Sequence, residues 1–203
     1  MSRHACPHAR FRVHAFAQEW GVAVHTLVAQ AAGDPLNGDP KSLREAQAAS
    51  DWPSWARAIE VEMENLRAHG TYELVEKPPG AHVIGSTLVF RKKRDAEGAV
   101  TQHKVRVVAQ GFAQVPGLEF DQTFAPVAKP SSLKLMMTLA ARFSWPMIQL
   151  DVKSAYLNGD LDEVIYMRQP PGTAAPGEEH LVCLLKKSLY GLKQAGCAWY
   201  QTY

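Results

Sequence analysis

The spacing of hydrophobic positions shifts along the chain from helical to alternating and back. Between Asp51 and Gly70, Trp55, Ile59, Met63 and Leu66 recur at the interval of one helix face. Asp51 stands where an N-cap belongs, Pro53 in the first turn, and Gly70 where the helix must stop. Glu60, Glu62 and Glu64 fall on the opposite side, so the pattern predicts an amphipathic helix packed on a core. Alternation then takes over. Thr71 to Val75 is β-prone and ends at Lys77-Pro78-Pro79-Gly80; Ser86 to Arg94 and Ala99 to Ala109 follow, joined by Asp95-Ala96-Glu97-Gly98. The last two runs predict a long hairpin with a charged tip. Gly111 to Lys129 has no period and reads as a structured loop. Ser131 or Ser132 opens a helix through Leu133, Met136, Met137, Ala140 and Phe143 that is apolar nearly all round, which predicts burial. Strands are expected at Met147 to Asp151, Val164 to Arg168 and Leu181 to Lys186. Helices and short strands in this order define an α+β fold.

Residues 1–40 lack such patterning. Phe11 to Ala32 is a weak helix, and Gly33-Asp34-Pro35-Leu36-Asn37-Gly38-Asp39-Pro40 is dense in turn formers. The expected organisation is a flexible arm and linker over 1–40 and a folded unit over 41–203. His4, Cys6, His8 and His14 have metal-ligating chemistry, but no spacing fixes their geometry, and a mobile arm accounts for them better.

Composition changes this picture little: 46% hydrophobic and 21% charged residues are ordinary for a globular chain. Cys6, Cys183 and Cys197 cannot all pair and contain no Cys-x-x-Cys spacing, which favours a reducing compartment, cytoplasmic or nuclear, over secretion. Arg3, Arg10 and Arg12 precede the first acid, Glu19, but the Ser-poor composition argues against a transit peptide. No apolar run approaches the roughly 20 residues of a membrane span, so no membrane association is expected.

Charge placement matters more than the net charge of +2. Residues 91–106 carry Arg91, Lys92, Lys93, Arg94, Lys104 and Arg106 against Asp95 and Glu97, a balance of +4. Residues 51–76 carry Arg57 and Arg67 against Asp51, Glu60, Glu62, Glu64, Glu73 and Glu76, a balance of −4. A basic hairpin suits a nucleic-acid backbone or a triphosphate, and equally a solvated edge guarded by lysine against aggregation. The second candidate is Asp151, at the end of the apolar run Gln149-Leu150-Asp151. A carboxylate at the tip of a buried strand needs a partner such as a metal ion. It would also serve as the N-cap of a helix starting at Val152.

The order of short blocks then becomes informative. Trp55-Ala56-Arg57-Ala58-Ile59-Glu60 is followed by Gly70-Thr71-Tyr72-Glu73-Leu74-Val75, Val89-Phe90-Arg91-Lys92-Lys93, Gln110-Gly111-Phe112 and Thr123-Phe124-Ala125-Pro126-Val127. After them come Gln149-Leu150-Asp151-Val152-Lys153-Ser154-Ala155-Tyr156-Leu157-Asn158-Gly159, Tyr166-Met167-Arg168-Gln169-Pro170-Pro171-Gly172 and Lys187-Ser188-Leu189-Tyr190-Gly191-Leu192-Lys193-Gln194-Ala195. In this order they resemble the reverse transcriptase of copia-type retrotransposon polyproteins, over about Asp39 to Tyr203. The resemblance implies a partial right-hand polymerase: β-rich fingers containing the basic hairpin, and an incomplete palm of antiparallel strands and helices. It implies RNA-directed DNA polymerisation with Mg²⁺, a primer-template, a deoxynucleoside triphosphate and the rest of the polyprotein as partners. Asp151 is then the first catalytic carboxylate, a metal ligand together with the Val152 carbonyl. Lys104, Arg106, Tyr156 and Gln194 are nucleotide contacts, with Tyr156 as the gate under the sugar. Arg91, Lys92, Lys93, Arg94 and Lys193 are nucleic-acid contacts. Departures are also visible. Gly196-Cys197 stands where the family usually has Pro-Arg, Gln110 where Lys is common, Leu88 for Trp, Val105 for Ala and Tyr156 for Phe. No adjacent Asp-Asp pair occurs, so the chain is expected to stop before the Tyr-x-Asp-Asp motif and to be inactive alone. A non-catalytic nucleic-acid-binding remnant is the alternative.

Overall fold

The computed structural model describes residues 38–202; the arm's expected helix and its His and Cys residues lie outside them. Four helices are described: α1 Leu43–Ala48, α2 Trp52–Ala68, α3 Pro130–Phe143 and α4 Ala195–Gln201. Six strands accompany them: β1 Tyr72–Val75, β2 Val83–Ile84, β3 Ser86–Arg94, β4 Val100–Ala109, β5 Asp160–Arg168 and β6 Val182–Lys187. Single 3-10 turns stand at Gly111–Ala113 and Ala155–Asn158. One sheet has the order β1-β6-β5-β2, antiparallel except for the β2–β5 pair, and β3 and β4 form a separate antiparallel hairpin. The mixed α+β character is as expected, with one parallel pair added. No described helix is long and apolar enough to cross a membrane.

The hairpin forms because Val105, Val107 and Ala109 alternate with less buried neighbours on β4 and face the buried run Leu88-Val89-Phe90 on β3. Leu88 and Phe90 lie opposite Val107 and Val105, and all four are buried. Their side chains form the face on which α2 packs, with Trp55 edge-on to the Phe90 ring at 5.4 Å and fully buried. Leu88 and Val105, two of the departures, both sit in this one core. Gly70, at φ +60°, ends α2 in the left-handed conformation that closes many helices.

Four expectations are corrected. Glu62 is not on the solvent face of α2 but buried, seven residues after Trp55 and so on the same stripe. Helix α3 is not buried: Leu135, Met136 and Phe143 are exposed and Ala140 is its one buried residue. It also starts at Pro130, with Lys129 and not a serine at the cap, because proline is preset for a first turn. Met147 to Asp151 forms no strand; its apolar side chains face outward. Strand propensity is realised only against a ladder partner, and among the described residues this run has none.

Candidate nucleotide and nucleic-acid site

The hairpin cations divide by face. In an antiparallel pair, opposed residues share a face and alternate residues change sides. Arg91, Lys93, Lys104 and Arg106 therefore line the face away from Phe90 and Val105, with Arg91 opposite Lys104. Lys92 and His103 lie on the helix side. There the Asp51 carboxylate gathers three groups: Lys92 Nζ at 2.7 Å, His103 Nε2 at 2.8 Å and the Trp55 indole N–H at 3.2 Å. Asp51 precedes α2 as expected, yet its side chain caps no helix N–H. Its hydrogen bond to Lys92, against the opposing effect of burial, holds its carboxyl down at about 2, with His103 contributing. Arg91 is also engaged, 3.7 Å from the buried carboxylate of Asp39, which accepts the Lys92 backbone N–H at 2.8 Å. Asp39, ahead of α1, is thus docked on the hairpin. Lys93 and Arg94 are exposed near the tip, where Arg94 donates to the Gly98 carbonyl.

Lys104 and Arg106 reach a second cluster. Glu62 accepts the Val107 N–H at 3.1 Å, closing the free edge of β4 with a carboxylate. Burial raises the Glu62 pKa, while the Val107 N–H, Arg106 and Lys104 oppose the rise. Lys104 is half-buried; burial lowers its pKa, helped by Arg106 and Lys93 and opposed by Glu62 and Asp151. Asp151 therefore lies within electrostatic reach of Lys104. The Arg106 guanidinium sits 5.3 Å from the centroid of the Tyr190 ring, and Tyr190 meets Tyr156 edge-on at 5.2 Å. Tyr190 belongs to the Ser188–Gln194 loop, stitched to the end of β4 by the Ala109 N–H donating to the Tyr190 carbonyl at 2.8 Å. Gly191, at φ +90°, permits this approach: a Cβ there would stand 2.2 Å from the Ala109 carbonyl oxygen. Arg106 and Tyr156 are thus joined through Tyr190, with Lys104 on the same face of β4 as Arg106. Sequence reasoning quoted Tyr190 within a motif but gave it no role; its aromatic character beside Gly191 was the available signal.

Asp151 is exposed and outside any regular element. It caps nothing, since the next helical turn begins at Ala155 with Ser154 before it. That turn is anchored from α2: Asn65 Nδ2 donates to Ser154 Oγ at 3.1 Å, and Ser154 itself is left-handed at φ +52°. A groove of about 790 Å³ between α2 and β4 opens beside it, lined by Arg57, Glu62, Asn65, His103, Lys104 and Lys153. Val152 is part-exposed on the same segment.

Gln194 is placed differently from Lys104 and Arg106. It is buried, donates to the Glu119 carbonyl at 2.7 Å and to Glu163 at 3.2 Å, and accepts from Gln114 at 3.0 Å. A nucleotide contact through its amide would break these bonds. Lys193 is exposed, with its ammonium 5.5 Å from the centroid of the Phe120 ring. Asp160 pairs with Lys187, and Glu163 is held by Gln194. Among the described residues no three His, Cys, Asp or Glu side chains are arranged to hold a metal ion. Asp151 alone does not supply the oxygen cage that Mg²⁺ requires, so the residues present do not fit a complete metal centre.

A fold of helices over a largely antiparallel sheet, with a basic hairpin against an aromatic pair, is the setting in which comparisons with known proteins become decisive. The profile of the family described as reverse transcriptase (RNA-dependent DNA polymerase) matches residues 69–203. The chain belongs to this family, in its copia-type branch. It is 43% identical over 165 residues to the retrovirus-related Pol polyprotein from transposon TNT 1-94 of Nicotiana tabacum, covering 81% of this chain and 12% of that protein. It is 37% identical over 188 residues to the Pol polyprotein from transposon RE1 of Arabidopsis thaliana, covering 87% of this chain and 13% of that protein. The Ty1-DR4 Gag-Pol polyprotein of Saccharomyces cerevisiae is 39% identical over 120 residues, 59% of this chain and 7% of its own length. The chain therefore spans only a small part of these relatives. No solved structure matches it.

Proposed function

We propose that the chain supplies the fingers and part of the palm of a right-hand RNA-directed DNA polymerase within a transposon Pol polyprotein. In this reading β3 and β4 form the fingers hairpin. Lys104 and Arg106 receive the triphosphate of an incoming deoxynucleotide, and Tyr156 lies under its sugar. The observation that carries the reading is the run of contacts from Arg106 through Tyr190 to Tyr156, with Lys104 on the same face of β4. A triphosphate needs charge compensation and a directed array of N–H donors, and an Arg beside a Lys supplies both. Asp151 and the Val152 carbonyl are the contribution of this segment to the divalent-metal site that the family is expected to use. Primer-template, Mg²⁺ and the remaining polyprotein belong to the same proposal. Because the described carboxylates do not assemble a metal centre, the isolated 203-residue chain should not extend a primer. A primer-extension assay with Mg²⁺ and all four deoxynucleotides tests this; elongated product would overturn it.

The exposed Lys93, Arg94 and Lys193 favour a second activity of the same chain: binding of a nucleic-acid backbone without catalysis. Its signature is a linear fall of log affinity with log salt concentration. A flat response excludes it.

A further inference from the structure

We propose that Tyr190 is a positioning residue that aims Arg106 at a bound triphosphate, acting through its ring and its hydroxyl. The inference rests on the nucleotide-site reading above and adds a residue to it. An arginine carries a long side chain with many rotamers, so a directed phosphate contact needs something to fix the plane of the guanidinium. The Tyr190 ring, 5.3 Å below the Arg106 Cζ, does so. A guanidinium held over the ring and bonded to its hydroxyl keeps its remaining N–H groups free to donate. One of them, the Arg106 Nε–H, is buried with no hydrogen-bond partner. A buried donor left unpaired is costly, and an anionic oxygen is the acceptor that suits it.

The support under the ring is rigid. Tyr156 meets Tyr190 edge-on at 5.2 Å and an interplanar angle of 73°. The backbone of Tyr190 is fixed to β4, the strand that carries Arg106, by the Ala109 N–H bond. The Gly191–Ala109 approach leaves no room for a side chain to separate the two segments. Gly111 closes on the Gly191 carbonyl from the other side, where a Cβ would stand at 2.1 Å. Ring and guanidinium therefore belong to one locked unit.

The test is calorimetric titration of the 203-residue chain with inorganic tripolyphosphate and with a deoxynucleoside triphosphate. R106A should weaken both by about tenfold, the scale of one charge-assisted contact. Y190L should weaken both by about fivefold to tenfold, and Y190F, which keeps the ring but loses the hydroxyl, should weaken both by less than Y190L. The double variant Y190L/R106A should bind no more weakly than R106A alone, the coupling expected when one residue acts through the other. In ¹H–¹⁵N spectra the Arg106 Nε–H resonance should move further in Y190L than in Y190F. Melting curves establish that each variant is folded, and Y190M replaces Y190L should leucine prevent folding. Additive losses, or wild-type binding by Y190L with R106A impaired, overturn the inference while leaving the nucleotide site intact. Wild-type binding by R106A overturns the nucleotide site and the inference with it.

Discussion

Asp51→Ala should destabilise the chain by about 2–4 kcal/mol, well beyond what a helix cap supplies. The carboxylate accepts the indole N–H of Trp55, a side chain that is 0% exposed. Leaving such a donor unpaired costs about 1–3 kcal/mol. The pair with Lys92 is partly shielded, at 18% and 25% side-chain exposure, and adds about 1 kcal/mol, the upper end for exposed pairs. A capping hydrogen bond contributes nothing here, because the Asp51 side chain makes none. Urea unfolding followed by tryptophan fluorescence measures the loss, provided the m-value is unchanged. A double-mutant cycle with Lys92→Met should show coupling of about 1 kcal/mol. The pH dependence has a definite sign. The folded carboxyl is held at about 2 against an ordinary 3.8, so its contribution is complete above 3.8 and is lost as pH falls toward 2. Asp51→Asn should remove that part of the acid limb. A loss of about 1 kcal/mol, additive with Lys92→Met, would restore the simple N-cap and refute this account.

The same contact sorts the basic residues. Lys93→Met should flatten the salt dependence of nucleic-acid binding by about one unit of slope, whereas Lys92→Met should lower stability and leave the slope nearly unchanged. Filter binding of a single-stranded oligonucleotide at several salt concentrations separates them. Asp151→Ala should leave the unfolding free energy from urea titration within about 0.5 kcal/mol of wild type, as befits an exposed residue that caps no helix. A loss near 1 kcal/mol would return Asp151 to a structural role.

Elements whose own side chains bury one face were legible in the sequence. The bounds of β3 match the expected run residue for residue, because the apolar Leu88-Val89-Phe90 is flanked by polar residues and paired along β4. Helix α2 was legible for the same reason, from Trp55 to Leu66. The site was legible in part. Lys104, Arg106 and Tyr156 could be named by resemblance, but the partners that hold them could not. Asn65 acts on Ser154 across 89 positions, and Glu62 acts on the backbone of β4; neither contact leaves a local pattern. Lys92 and Arg91 read as free cations because Asp51 and Asp39, which engage them, are distant in sequence.

Met147 to Asp151 shows where local propensity stops being informative. Its residues favour a strand, yet Ile148 and Leu150 are each 85% exposed. With Phe124, Val127, Leu135, Met136 and Phe143 also exposed, the region presents apolar surface of the kind that marks interfaces. The chain should therefore bind a hydrophobic dye such as ANS while the hairpin core still unfolds cooperatively. Ile148→Lys together with Leu150→Lys should cut the dye signal and shift stability by no more than about 0.5 kcal/mol, as surface changes do. Were the run packed as a strand, burying two lysines in place of Ile and Leu would cost at least the roughly 2–5 kcal/mol of a large-to-small core substitution, and the variant would unfold. Retained dye binding in the double-lysine chain would place the exposed surface elsewhere, and unfolding would restore the strand.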